Sequence, residues 1–171
     1  MFLAFPFLLA AITLATVLGP TIHNGVLTGM IALIVFGWPG YARLIRGDIL
    51  SVKQRDYVTA ARALGAPHWE ILIKHVIPNS MYTLLVVASL DIGTNVLSFA
   101  ALSFLGVGAP VGYADWGQLL SLARSWIPSL SGYWYIVVFP GIALVLFVLG
   151  FNLIGDALRD ALDPRMVSQK R

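Results

Sequence analysis

Apolar residues fall into four long blocks along the chain, each closed by Pro, Gly or charged residues. The blocks cover about residues 2–18, 26–41, 81–105 and 133–154. A helix crossing a hydrocarbon core roughly 30 Å thick needs about 20 mostly apolar residues, and the blocks are on that scale. Backbone N–H and C=O groups in lipid must be satisfied within their own segment, so such continuous apolar runs predict helices and not strands. The pattern therefore predicts an all-α, multi-pass membrane protein with about four spanning helices.

Two interruptions break this simple picture. Trp38-Pro39-Gly40 is expected to kink or break the second helix near its end, because Pro removes a backbone donor and Gly weakens a helix. Between the second and third blocks, residues 56–78 read as two short helices with a turn between them. Asp56 is placed to cap the first, Ala60, Ala61 and Ala63 favour helix, and Gly65 suits the left-handed position that ends one. Pro67 then suits the first turn of a second helix, with Glu70 favourable to its dipole, and Pro78 is expected to stop that helix before the third span. In the last connection, Asp115 is expected to cap a short helix running to Arg124, with Pro128 beyond it; its apolar residues favour lying along the membrane surface.

Composition sharpens the membrane reading. The chain is 58% hydrophobic and 11% charged with a mean hydropathy of +0.84, and a soluble domain of 171 residues would carry close to a quarter charged residues. The absence of cysteine removes disulfides, thiolate metal sites and a Cys nucleophile. Residues 1–19 lack the basic start of a signal peptide, and Pro6 and Pro20 fit a retained helix better than a cleavage site.

Charge sets the orientation. Arg43, Arg46, Lys53, Arg55, Arg62 and Lys74 lie between the second and third blocks, and Arg159, Arg165, Lys170 and Arg171 follow the fourth; Arg124 lies between the third and fourth. By the positive-inside rule the 43–78 loop and the C-terminal tail, 166–171, are cytoplasmic, and the 107–132 connection is outside. The net charge of +3 is thus topological, and no nucleic-acid partner is expected. The lipid bilayer is the expected surrounding.

On a cytoplasmic face, a helix-turn-helix with small side chains at Ala60, Ala61, Ala63 and Ala66 is suited to close approach by a partner. The alternative is that it packs beneath the membrane or against other loops. The same stretch also carries a more specific pattern. Ala60-Ala61, three residues, Gly65, then Ile77-Pro78 resembles the EAA loop of ABC importer permeases. The run GWPGYAR from Gly37 to Arg43, LSFLGVG from Leu102 to Gly108 and FNLIGDALRDALDPR from Phe151 to Arg165 is similar to the dipeptide, oligopeptide and nickel branch of that family.

The resemblance implies a type I ABC importer transmembrane domain over residues 1–165, with the EAA loop at 43–78 and about four of the usual six spanning helices, the two that would precede Met1 being missing. It implies that Thr59, Ala60, Ala61, Gly65, Ala66, Trp69, Ile77 and Pro78 form or support a contact with cytoplasmic ABC ATPase subunits. It further implies a second permease subunit, an extracytoplasmic substrate-binding protein, location in the bacterial inner membrane, and cargo among peptides, nickel or related solutes. No cofactor is expected on this chain; ATP and Mg belong to the partner ATPase, and no Gly immediately precedes Lys53, Lys74 or Lys170 as a phosphate-cradling loop requires. Thr59 stands where the family usually has glutamate, and Phe99 where this branch often has an acidic residue.

Among the remaining polar residues, Asp91 lies inside the third span, where an ionisable group is costly and is a functional candidate by default. With Thr94 and Asn95 it either lines the translocation path and meets a cationic or peptide-amine substrate, or is neutral or paired in a helix interface. His23 reads as an interfacial residue, and His68 and His75 lack a third ligand for zinc. Two other functions remain for comparison: a passive channel, which leaves the cytoplasmic helix-turn-helix unexplained, and an intramembrane hydrolase. The aspartyl form of the latter needs two carboxylates sharing a proton, and Asp91 has no second intramembrane Asp.

Overall fold

The structure, a computed structural model, describes residues 6–162. It is helical throughout, with no strand among the described residues. Helix α1 is Phe7–Ile22 and α2 is Gly25–Val52, joined by His23 and Asn24 alone. His23 takes the left-handed conformation (φ 56°) and its N–H closes α1 onto the Gly19 carbonyl; the Asn24 side chain then accepts from the Leu27 N–H at 3.1 Å to start α2. Two residues thus reverse the chain.

Three helices are long and apolar enough to cross a membrane: Gly25–Val52, His68–Phe104 and Gly132–Ala161. The expected first span is different. Residues 2–5 lie outside the described part, and α1 instead continues through Pro20 to Ile22, giving 16 residues or roughly 24 Å, less than the hydrocarbon thickness.

The expected break at Trp38-Pro39-Gly40 is absent, for α2 continues without interruption to Val52. A Pro removes one intrahelical bond, and a 28-residue helix packed on its neighbours absorbs that loss. Its consequence is mechanical: at about 1.5 Å per residue α2 is roughly 42 Å long, so Arg43 and Arg46 lie on a continuous helix instead of in a loop.

Pro78 does not stop its helix either. Helix α3 is Asp56–Ala63; α4 is His68–Ile71, and it passes through a π-helical turn, Leu72–Val76, directly into α5, Ile77–Phe104. The Ile77 N–H reaches back five residues to the Leu72 carbonyl, and this wider register makes room for Pro78 near the start of α5. Side chains cover exposed carbonyls: Asn79 Nδ2 donates to His75 O at 2.6 Å and Ser80 Oγ to Val76 O at 2.8 Å. Helix α5 ends on Gly106 (φ 82°), with Val107 N–H bonding Leu102 O at 3.0 Å, which accounts for the glycine of the LSFLGVG run.

Helix α6, Trp116–Ala123, is wedged between α5 and α7, Leu130–Leu162. Gly117, Gln118 and Ala123 are buried while Leu119 and Leu122 remain exposed. The Asp115 cap forms as expected, accepting from the Gln118 N–H at 3.0 Å. The buried Gln118 carboxamide donates to Ser103 O at 3.2 Å and Ala109 O at 2.5 Å, tying α6 to the end of α5. We expect Gln118→Leu to cost about 1–3 kcal/mol by orphaning these buried carbonyls, read as a lower unfolding midpoint of the purified protein in detergent.

Packing is antiparallel and close. Gly29 lies against Phe99, Gly93 against Val148, and Gly155 against Leu90, placing α5 between α2 and α7. Ala11, Ala15, Ala32, Leu33 and Leu102 form the membrane-side core. A second cluster, Val58, Ile71 and Val76, holds α3 and α4 against the end of α2.

Candidate coupling surface and intramembrane groove

The cytoplasmic bend is built from its own cluster outward. Val58 on α3 packs with Ile71 and Val76, and Ile49 and Val52 at the end of α2 close over them. Tyr57 lies 6.2 Å from His75, ring to ring, bracing α3 against the π turn. At the bend, Leu64 N–H bonds Ala60 O, Gly65 N–H bonds Arg62 O at 3.1 Å, and Ala66 N–H bonds Ala61 O at 3.2 Å. Gly65 has φ 80°, the conformation expected of it and one that a side chain disfavours.

Two helix starts differ from expectation. Arg55, not Asp56, occupies the cap of α3, and Asp56 sits in the first turn with its carboxylate favourable to the dipole. Pro67 stands one residue before α4 as its cap, since its extended ψ of 153° turns the chain before the helix starts. Thr59 directs its hydroxyl back to Arg55 O at 3.4 Å. Glu70 and Lys74 pair on the exposed side at 2.7 Å.

The eight expected contact residues separate into two groups. Ala61 and Ala66 are turned inward against the Val58 cluster, so their small size lets α3 and α4 approach each other. Ala60, Thr59, Gly65 and Trp69 face outward, and Ile77 and Pro78 are exposed at the start of α5. Leu64, which sequence reasoning passed over, is 88% exposed, and Trp69 across the bend is 75% exposed. Its position immediately before the helix-ending glycine was the available signal. Two large apolar side chains held out on either side of a rigid turn form an unpartnered apolar tip.

The intramembrane residues behave differently. Asp91, Asn95 and Phe99 recur every fourth residue along one face of α5, and Thr94 stands three residues on from Asp91. Opposite them on α2 stand Met30, Ile34 and Trp38 in the same spacing, followed by Tyr41. Between these two helices lies an open cavity of about 590 Å³, lined by Met30, Ile34, Trp38, Tyr41, Asn95 and Phe99 among others. Of the three expected path residues the cavity is thus lined by Asn95, with Tyr41 and Asp115 added, and both Asp91 and Thr94 stand outside the lining.

A family model described as the inner membrane component of binding-protein-dependent transport systems matches residues 1–168. The chain belongs to this family. Its fold is therefore that of the type I ABC importer transmembrane domain, a component of the inner membrane. The chain is 42% identical over 166 residues to the dipeptide transport system permease protein DppC of Alkalihalophilus pseudofirmus, covering 97% of this chain and 52% of that protein. It is 41% identical to the glutathione transport system permease protein GsiD of Pectobacterium atrosepticum, over 96% of this chain and 52% of that protein. GsiD of Escherichia coli O1:K1 is also 41% identical, over 95% and 52%. The chain spans about half the length of the curated relatives it matches.

Proposed function

We propose that this chain is a permease subunit of an ATP-driven importer of small peptides or related solutes, and that the bend from α3 to α4 is the point at which cytoplasmic ATPases grip it. The observation that carries this reading is the pair Leu64 and Trp69, exposed on a turn whose interior is well packed. A partner that buries both gains roughly 3 kcal/mol or more from apolar area alone. Lys53, Arg62 and His68 surround a shallow cavity of about 240 Å³ beside the bend, which favours an acidic partner surface.

Continuity supplies the transmission. Because α4 passes through the π turn into α5 with no loop, a displacement of the bend reaches the membrane-spanning part of α5 as a rigid-body movement. ATP and Mg act in the partner, and their effect here is a shift between inward- and outward-open forms, driven by contacts that differ in the two states. A second permease subunit and an extracytoplasmic binding protein complete the assembly. The relatives named for dipeptide and glutathione transport support a small-peptide cargo.

Cysteine crosslinking tests the contact directly, because the chain has no cysteine of its own. Cysteines at Ala60 and Leu64 are expected to crosslink to a co-expressed ATPase, whereas one at inward-facing Ala61 is expected not to. Equal yields at all three, or none at any, would contradict this docking face.

A further inference from the structure

At the cytoplasmic bend, three elements bring basic side chains to one small hollow. Lys53 caps the end of α2, Arg62 stands in the last turn of α3 and His68 opens α4; together with Ile71, Leu72 and Val76 they line a cavity of about 240 Å³. Among the described residues no carboxylate lines it. The acids nearest in the sequence do not pair with the three basic groups. Glu70 is held by Lys74 at 2.7 Å, Asp56 stands at the opposite end of α3 from Arg62, and one side-chain oxygen of Asp48 is buried without a hydrogen-bond partner among the described residues.

A concave site with apolar walls and one sign of charge concentrates its field, and the like charges that make it repel one another. An entering anion relieves that repulsion. The donors suit a carboxylate: the Arg62 guanidinium offers two parallel N–H groups, Lys53 an ammonium and His68 a ring N–H. Size narrows the ligand, because about 240 Å³ is below the roughly 300 Å³ at which small-molecule sites begin, and a single acidic side chain fits. Position narrows it further. Arg62 stands two residues before Leu64 and His68 one before Trp69, the two exposed apolar tips, so a protein that buries those tips comes within reach of the hollow.

We infer that the hollow between Lys53, Arg62 and His68 is a socket for one aspartate or glutamate side chain of the docked ATPase. The inference rests on the docking reading of the α3–α4 bend and deepens it by naming the partner's chemistry. The two parts of the contact have different effects. Leu64 and Trp69 supply apolar burial, which has no directional preference, whereas a carboxylate seated among donors from three elements fixes the register in which the ATPase sits. The seated carboxylate also joins the end of α2 to both limbs of the bend, so a movement of the ATPase reaches all three together.

The test treats the complex of the permease and its co-expressed ATPase with a water-soluble carbodiimide, which joins an ammonium to a touching carboxylate as an amide with loss of water. Mass spectrometry maps the products. We expect Lys53 to be joined to one Asp or Glu of the ATPase, and Arg62→Lys to add a second amide to that same side chain. Lys74, 2.7 Å from Glu70, is expected to link within the chain and serves as the control for reaction. Lys53→Gln combined with Arg62→Gln is expected to weaken ATPase binding about tenfold at low salt and less than about twofold at high salt, with Lys53→Arg and Arg62→Lys together retaining it. Both side chains are exposed, so the fold persists in these variants. An amide from Lys53 to a carboxylate of the permease itself, no amide from Lys53 or from Arg62→Lys, or unchanged ATPase binding by the neutral variant would each overturn the inference. So would an unfolding midpoint that phosphatidylglycerol, but not phosphatidylcholine, raises in the parent and not in the neutral variant while ATPase binding is the same in both, which would assign the hollow to a lipid headgroup. If the cysteines at Ala60 and Leu64 crosslink while Lys53 stays unjoined, the socket alone fails; if neither set forms, the docking face fails with it.

Discussion

Aspartate in place of Leu64 is expected to reduce ATP-driven uptake by roughly a hundredfold while leaving the amount of membrane-inserted protein unchanged. The two halves of that expectation have separate causes. Leu64 is 88% exposed and touches none of the Val58 cluster, so the bend loses no packing on substitution. At a partner interface the same change removes about 2 kcal/mol of apolar burial and sets a charge against an apolar socket. A total near 3 kcal/mol corresponds to about two powers of ten in affinity. Initial uptake rates, normalised to immunoblot signal, measure it. An uptake rate within about twofold of the parent would place the docking tip elsewhere, since a buried apolar anchor does not tolerate a carboxylate.

The same bend shows what was legible from sequence and what was not. Gly65 was readable because a single residue's backbone preference decides a helix end, and its φ of 80° follows from that preference. Asp115 was readable for a similar local reason. The long apolar blocks gave the membrane class because no soluble core needs such runs. Proline positions misled. Pro39 and Pro78 are strong local breakers, but a helix tolerates them when neighbours hold it or when a π turn widens its register, and both conditions are tertiary. The packing of α6 was not legible for a related reason: its apolar residues do not reveal that Gly117 and Gln118 are tucked against α5.

The candidate sites divide along the same line. Alanine content marked the bend, but only the packed structure separates Ala60, which faces out, from Ala61 and Ala66, which fill the inside. Asp91 was visible as an ionisable residue in an apolar run. The groove was not, because Tyr41 and Asn95 lie far apart in the sequence and meet only through the antiparallel register of α2 and α5. The groove is therefore a property of helix pairing.

Register is maintained by glycines whose missing side chains allow backbones to touch, and Gly117 is the clearest case. A Cβ there would overlap the Ala100 carbonyl oxygen and lie 2.7 Å from Ala100 Cα, and backbone atoms cannot swing aside as a side chain would. Gly117→Val is expected to force α6 away from α5, separating the Gln118 carboxamide from Ser103 O and Ala109 O as well. Overpacking costs about 1–3 kcal/mol and the strained or broken hydrogen bonds about 1–3 kcal/mol more. The sum is a large part of what a protein of this size has, so the variant is expected to unfold or be degraded at growth temperature. Gly141→Val provides the comparison: nothing lies within 4 Å of its missing side chain, so there the change is confined to helix propensity, which favours the substitution. Thermal unfolding in detergent, with protease resistance in membranes as a second readout, separates the two. Equal stability of the Gly117 and Gly141 variants would mean that α6 is not seated against α5.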